Sequence, residues 1–132
     1  MPISVVAILG TALAIILGFR NASAYDRWWE ARKIWGGIVN ESRSFTRQAL
    51  TLADPRHTPE LRIYQMHMLV RNQLAWINAL RLQLREVKDP EVWRNDVARH
   101  MTPELYASII TRTNKVTHIA IHQGRVIKEL NV

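Results

Sequence analysis

Gly18–Gly37 reads GFRNASAYDRWWEARKIWGG, and the rest of the chain is arranged around it. Before it lies an uncharged run, Met1 to Phe19, in which nothing is more polar than Ser4 and Thr11. Within it, Arg20 is the first charge of the chain, and from there charge and tryptophan alternate at helical spacing. A segment of this kind marks the point where a helix passes from lipid into water.

Working outward to the left, a helix over Ile3–Phe19 spans roughly 25 Å, against a hydrocarbon core near 30 Å. Two other readings fit less well. A secretory signal would explain Ala22-Ser23-Ala24 as a cleavage site, but the basic leading region is missing and Arg20 stands between the apolar run and the cut. A soluble core helix is seldom this apolar all round. The run therefore predicts a membrane helix.

To the right, no turn dipeptide interrupts the pattern. Trp28, Trp35, Ile38, Ser42, Phe45, Ala49 and Leu52 recur at spacings of seven, three and four, with Arg27, Arg32, Lys33, Glu41 and Arg43 largely off that stripe. The expectation is one helix from about Val5 to Leu52, roughly 70 Å long, its first third in the membrane. Trp28 and Trp29 suit an interfacial aromatic belt, while Trp35 could equally grip a neighbouring helix.

Asp54-Pro55 should end this helix, because the residue before proline is pushed out of the α region. Thr58-Pro59-Glu60 should open the next: a threonine cap, proline at the first helical position and an acid in the first turn. Leu61, Tyr64, Met68, Leu69, Gln73, Trp76, Ile77, Leu80 and Leu84 mark that helix as amphipathic, running to about Arg85. Asp89-Pro90 starts a short helix with Val92, Trp93 and Val97. Thr102-Pro103-Glu104 starts another, ending near Thr111, and Asn114 caps a last one through Leu130. The fold class read from this is all-α: a membrane-protein fragment with one transmembrane helix, residues 1–20, continuing into a cytosolic helical bundle, residues 21–132.

Composition narrows the function. The chain has 132 residues, a formal charge of +7 and a pI of about 10.6. Its arginines are spread through amphipathic segments without a dense basic arm, which argues against nucleic acid as a partner. Zero cysteines removes disulfides, thiolate metal sites and thiol catalysis. His118 and His122 stand at i, i+4, the spacing of a two-histidine clamp, but the nearest acid, Glu129, is about two turns on, so no metal or other cofactor is expected. Ser42, Ser44, Thr46 and Ser108 lack a neighbouring base, and neither a phosphate loop nor paired carboxylates occur, so no catalytic residue is assigned and no enzyme is expected.

F-R-N followed by A-x-A-Y-D-R-W-W-E-A-R-K-x-W-G, Phe19 to Gly36, resembles the signature of bestrophin-type ion channels, in their bacterial branch. Weaker similarity covers most of the chain. The resemblance implies a homopentameric channel of the inner cell membrane that passes chloride or, in bacterial members, monovalent cations, with residues after about 20 in the cytoplasm. It implies further membrane helices before and after this region, which makes the chain a part of such a subunit. It also implies that Thr11, Ile15 and Phe19, at i, i+4, i+8, line a narrow neck, although any membrane helix has such a face. Thr11 departs from the larger apolar residue usual there, and Ala22 from a second asparagine. Arg20, Asp26, Arg27, Glu30 and Arg32 would form a charged collar below, drawing ions or bridging helices. Two rivals remain: a single-pass anchor for a helical scaffold, and a soluble basic bundle.

Overall fold

The computed structural model describes residues 3–52 and 58–130, and every element among them is helical. The chain divides into two compact units, Met1–Glu41 and Ser42–Val132. The expected stop at Asp54-Pro55 lies outside the described residues.

Helix α1, Ile3–Leu52, is continuous for 50 residues, two residues longer at its start than the sequence pattern suggests. It is long and apolar enough to cross a membrane, and its apolar window is wholly exposed in the chain. Ile8, Leu9, Leu13, Ile16 and Phe19 are all exposed.

The second unit is built by capping chemistry that the sequence displays openly. Helix α2, Pro59–Leu84, begins where the Thr58 hydroxyl accepts from the Leu61 amide at 3.4 Å. Helix α3, Pro90–Asp96, begins where the Asp89 carboxylate accepts from the Glu91 amide at 2.9 Å. Helix α4, Pro103–Ile110, begins where the Thr102 hydroxyl accepts from the Leu105 amide at 3.4 Å. In each, proline occupies the first turn, where its missing N–H costs nothing. Helix α5, Lys115–Leu130, follows Asn114, whose side-chain oxygen accepts from the Thr117 amide at 3.2 Å.

Two details escape the sequence pattern. A single 3₁₀ turn, Ala98–His100, joins α3 to α4 and carries the chain to Met101 and Thr102, both extended ahead of Pro103. The second detail closes α2. Glu86 adopts the left-handed conformation at φ 54°, the Val87 amide donates to the Leu82 carbonyl at 3.0 Å, and the Glu86 amide donates to the Gln83 carbonyl at 3.1 Å. That pair of bonds is a Schellman closure, normally built on glycine.

The core forms where α2 meets α5. Ala75, Ala79 and Leu82 of α2 pack with Trp93, Val97, Met101, Ile109, Val116 and Ile119. The alanines let α5 approach closely, and Trp93 fills the space beside them. The Trp93 indole N–H donates to the Val87 carbonyl at 2.7 Å, and the Lys115 ammonium lies 5.3 Å from its ring centre. Arg81 pairs with Asp96 and so ties α2 to α3. Arg71 donates to the Arg99 carbonyl at 2.6 Å, holding the 3₁₀ turn on α2.

Candidate functional site

Because α1 is unbroken from Ile3 to Leu52, the helical phase of its side chains can be followed from the apolar run into the charged collar. Thr11, Ile15 and Phe19 share one face, at about 100° per residue. Carrying the same rotation onward puts Asp26 and Glu30 within about 60° of that face's direction, with Lys33 after them. Arg20, Arg27 and Arg32 fall roughly 100–140° away. The five charges expected to form a collar thus separate into two sets: two carboxylates that follow the Thr11, Ile15 and Phe19 face, which Lys33 also shares, and three guanidinium groups on other faces.

All of these side chains are exposed in the chain, Ile15 at 53% and Phe19 at 72%. Leu13 and Leu17, off that face, are exposed to the same degree, so burial within the chain does not distinguish the faces. The Thr11 hydroxyl donates to the Ala7 carbonyl at 2.9 Å, so its proton is used inside the helix and only its oxygen lone pairs face outward. Among the described residues, Glu30 makes no ion pair with Lys33, although their spacing allows one. A Cβ added at Gly10 or Gly18 would meet nothing within 4 Å, so contacts inside the chain do not require glycine there. Leu17, Gly18, Asn21, Ala22, Tyr25 and Asp26 line a shallow concavity on the same helix.

Sequence reasoning marked Trp28 and Trp29 but missed their partner. Tyr25 lies 5.7 Å from Trp28 and 6.5 Å from Trp29, ring centre to ring centre, and the two indoles are 6.2 Å apart. The Arg32 guanidinium sits 5.9 Å from the Trp28 ring centre. The signal was available in the i, i+3 and i, i+4 spacings of Tyr25, Trp28, Trp29 and Arg32. Trp28 is 55% exposed, whereas Trp35, Ile38, Phe45 and Ala49 of the same stripe are half-buried.

Within the second unit, α1 residue Ser42 accepts a hydrogen bond from the Gln73 amide of α2 at 2.8 Å. Gln73 accepts in turn from the Gln123 amide of α5 at 3.0 Å. Among the described residues, no third His, Asp or Glu side chain gathers with His118 and His122. His122 buries its Nε2 without a hydrogen-bond partner among the described residues. Burial, with Arg125 nearby, pushes its pKa below the ordinary 6.5, while Glu129 opposes the shift.

The family described as Bacterial/Fungal Bestrophin protein matches residues 1–132. The voltage-dependent anion channel-forming protein RSc3414 of Ralstonia nicotianae is 38% identical over 123 residues, covering 93% of this chain and 38% of that protein. The voltage-dependent anion channel-forming protein YneE of Escherichia coli K12 is 34% identical over 119 residues, covering 89% of this chain and 35% of the relative. A third so named, mll4386 of Mesorhizobium japonicum, is 42% identical over 80 residues, covering 60% of this chain and 23% of that protein. No solved structure matches. The chain spans little more than a third of the length of the first of these relatives. With a match over its whole length, an all-helical fold and an apolar helix bared to its surroundings, the chain belongs to the bacterial and fungal bestrophin family.

Proposed function

We propose that this chain supplies the pore helix and the adjoining helical domain of an ion-channel subunit that works as a homopentamer in the inner cell membrane. The observation that carries this reading is the family match over residues 1–132, in a chain whose apolar helix has no cover of its own. Lipid and neighbouring helices would supply that cover, and Gly10 and Gly18 leave room for a close neighbour. Residues 1–20 form the membrane part, and the basic residues after the apolar run, Arg20, Arg27, Arg32 and Lys33, orient the later residues to the cytoplasm by the positive-inside rule.

In such a ring, Thr11, Ile15 and Phe19 would line the neck. Ile15 and Phe19 offer an ion no replacement for its water, so they would form a hydrophobic constriction that gates by dewetting. The relatives' names favour anions as cargo. The phase of the collar favours a different preference at the lower mouth: Asp26 and Glu30 follow the neck on its own face, and rings of carboxylates draw cations. Reversal potentials under a salt gradient, recorded from a chimera in which these residues replace the matching segment of the Ralstonia relative, test both. Cation preference that weakens in Asp26→Asn/Glu30→Gln supports the carboxylate reading. Anion selectivity unaffected by the pair rejects it, and absence of any current in a properly assembled chimera rejects the channel reading.

A further inference from the structure

We infer that helix α5 is an acid-releasable latch on the 42–52 end of α1, acting through the Ser42–Gln73–Gln123 hydrogen-bond relay. The relay connects three helices that are far apart in sequence, with bonds of 2.8 and 3.0 Å. Gln123 is 7% exposed, so its bond to Gln73 is shielded from competing water. Each carboxamide has its donor and acceptor fixed in one plane. By donating to the Gln73 oxygen, Gln123 fixes which way the Gln73 amide turns, and the Gln73 N–H₂ then points to Ser42. The position of α5 thereby determines how well this end of α1 is held.

Beside this relay, among the described residues, lie polar groups that no hydrogen bond satisfies. Asn72, beside Gln73 on α2, is fully buried with neither its nitrogen nor its oxygen bonded. His122, beside Gln123 on α5, buries an Nε2 that makes no bond. As a neutral ring it needs none, because that nitrogen can be the bare one. Once protonated, it carries a buried N–H with no acceptor and a charge partly withdrawn from water, both unfavourable while α5 stays seated. The charged groups that act on it are Arg125 and Glu129 of α5 itself. Acid therefore loosens α5, and the relay passes the loosening to α1.

Amide hydrogen exchange of the 132-residue chain in detergent micelles tests this, and it does not depend on whether the chain conducts. Protection is read as the ratio to intrinsic exchange in segments 42–52 and 115–130. Gln123→Met keeps the side-chain length but cannot donate, so protection should fall about fivefold in α5 and severalfold in 42–52, the loss expected for one hydrogen bond. Lowering the pH from 7.5 to 5.5 should reduce protection of both segments in the unaltered chain and not in His122→Gln. Unchanged protection of 42–52 in a folded Gln123→Met chain overturns the relay. An acid response that survives His122→Gln overturns the release. If Gln123→Met does not fold, Ser42→Ala replaces it: protection should then fall in 42–52 alone, and an unaltered 42–52 segment counts against the inference.

Discussion

A hydrogen-bonded pair explains why Ser42 and Gln73 stand in stripes that are otherwise apolar. Both positions fall in stripes legible from sequence, but their polar character had no visible reason, because periodicity cannot pair residues 31 apart. Ionisable residues show a similar limit. His100 accepts at its Nε2 from the Arg99 guanidinium at 3.0 Å. Burial, then Arg99 and Arg71, lower its pKa, with Asp96 opposing. His122 is lowered for the causes given above. A histidine with a depressed folded-state pKa stabilises fully above its unfolded value of about 6.5 and loses that contribution as pH falls through the folded value. The melting temperature of the chain in micelles should therefore drop between pH 7.5 and 5.5. His100→Gln/His122→Gln should flatten that slope, and a slope unchanged in the double variant would refute the assignment. The Tyr106 hydroxyl, whose pKa burial raises, remains protonated throughout this range.

The helices, unlike the contacts between them, were largely legible at their starts. Three prolines, each after Thr or Asp, announced α2, α3 and α4, because cap chemistry is local and written in consecutive residues. Thr102→Ala should cost about 1 kcal/mol, measured by chemical denaturation. The end of α2 was less legible, since Glu86 takes the left-handed position where glycine is usual. A non-glycine residue there carries a strain of roughly 1 kcal/mol, so Glu86→Gly should raise stability by a similar amount or somewhat less. A lower midpoint in that variant would mean that the Glu86 side chain contributes more than its backbone costs. Tryptophans were the harder elements to rank. Trp28 and Trp35 drew attention by their place in the long stripe, yet the one sealed into the core is Trp93, at 6% exposure. Trp93→Ala should cost about 3–5 kcal/mol, because it empties the space beside Ala75 and Ala79 and leaves the Val87 carbonyl unbonded.

At the scale of the molecule, sequence sufficed to show that the described residues are helical and that one helix among them is of membrane length, since an uncharged run and a long unbroken stripe are one-dimensional patterns. The site was legible as a motif and not as a surface: Thr11, Ile15 and Phe19 share a face, but the ring that would close around them requires other chains. Placing Asp26 and Glu30 on the face of Ile15, and Arg20, Arg27 and Arg32 off it, needed a continuous α1 to carry the phase across Phe19 to Glu30. Orientation is tested by a reporter fused after Val132, expected to be active in a cytoplasmic form; activity confined to the other side would reverse the proposed topology. The most direct test of the central claim is planar-bilayer recording of the Ralstonia chimera carrying Ile15→Ala/Phe19→Ala, beside Leu13→Ala and Leu17→Ala controls. If Ile15 and Phe19 form the hydrophobic constriction, the double variant widens it and single-channel conductance or open probability rises, while the controls conduct as the unaltered chimera does. Unchanged currents in the double variant, with altered conduction in the controls, would contradict the assignment of the pore to this face of α1.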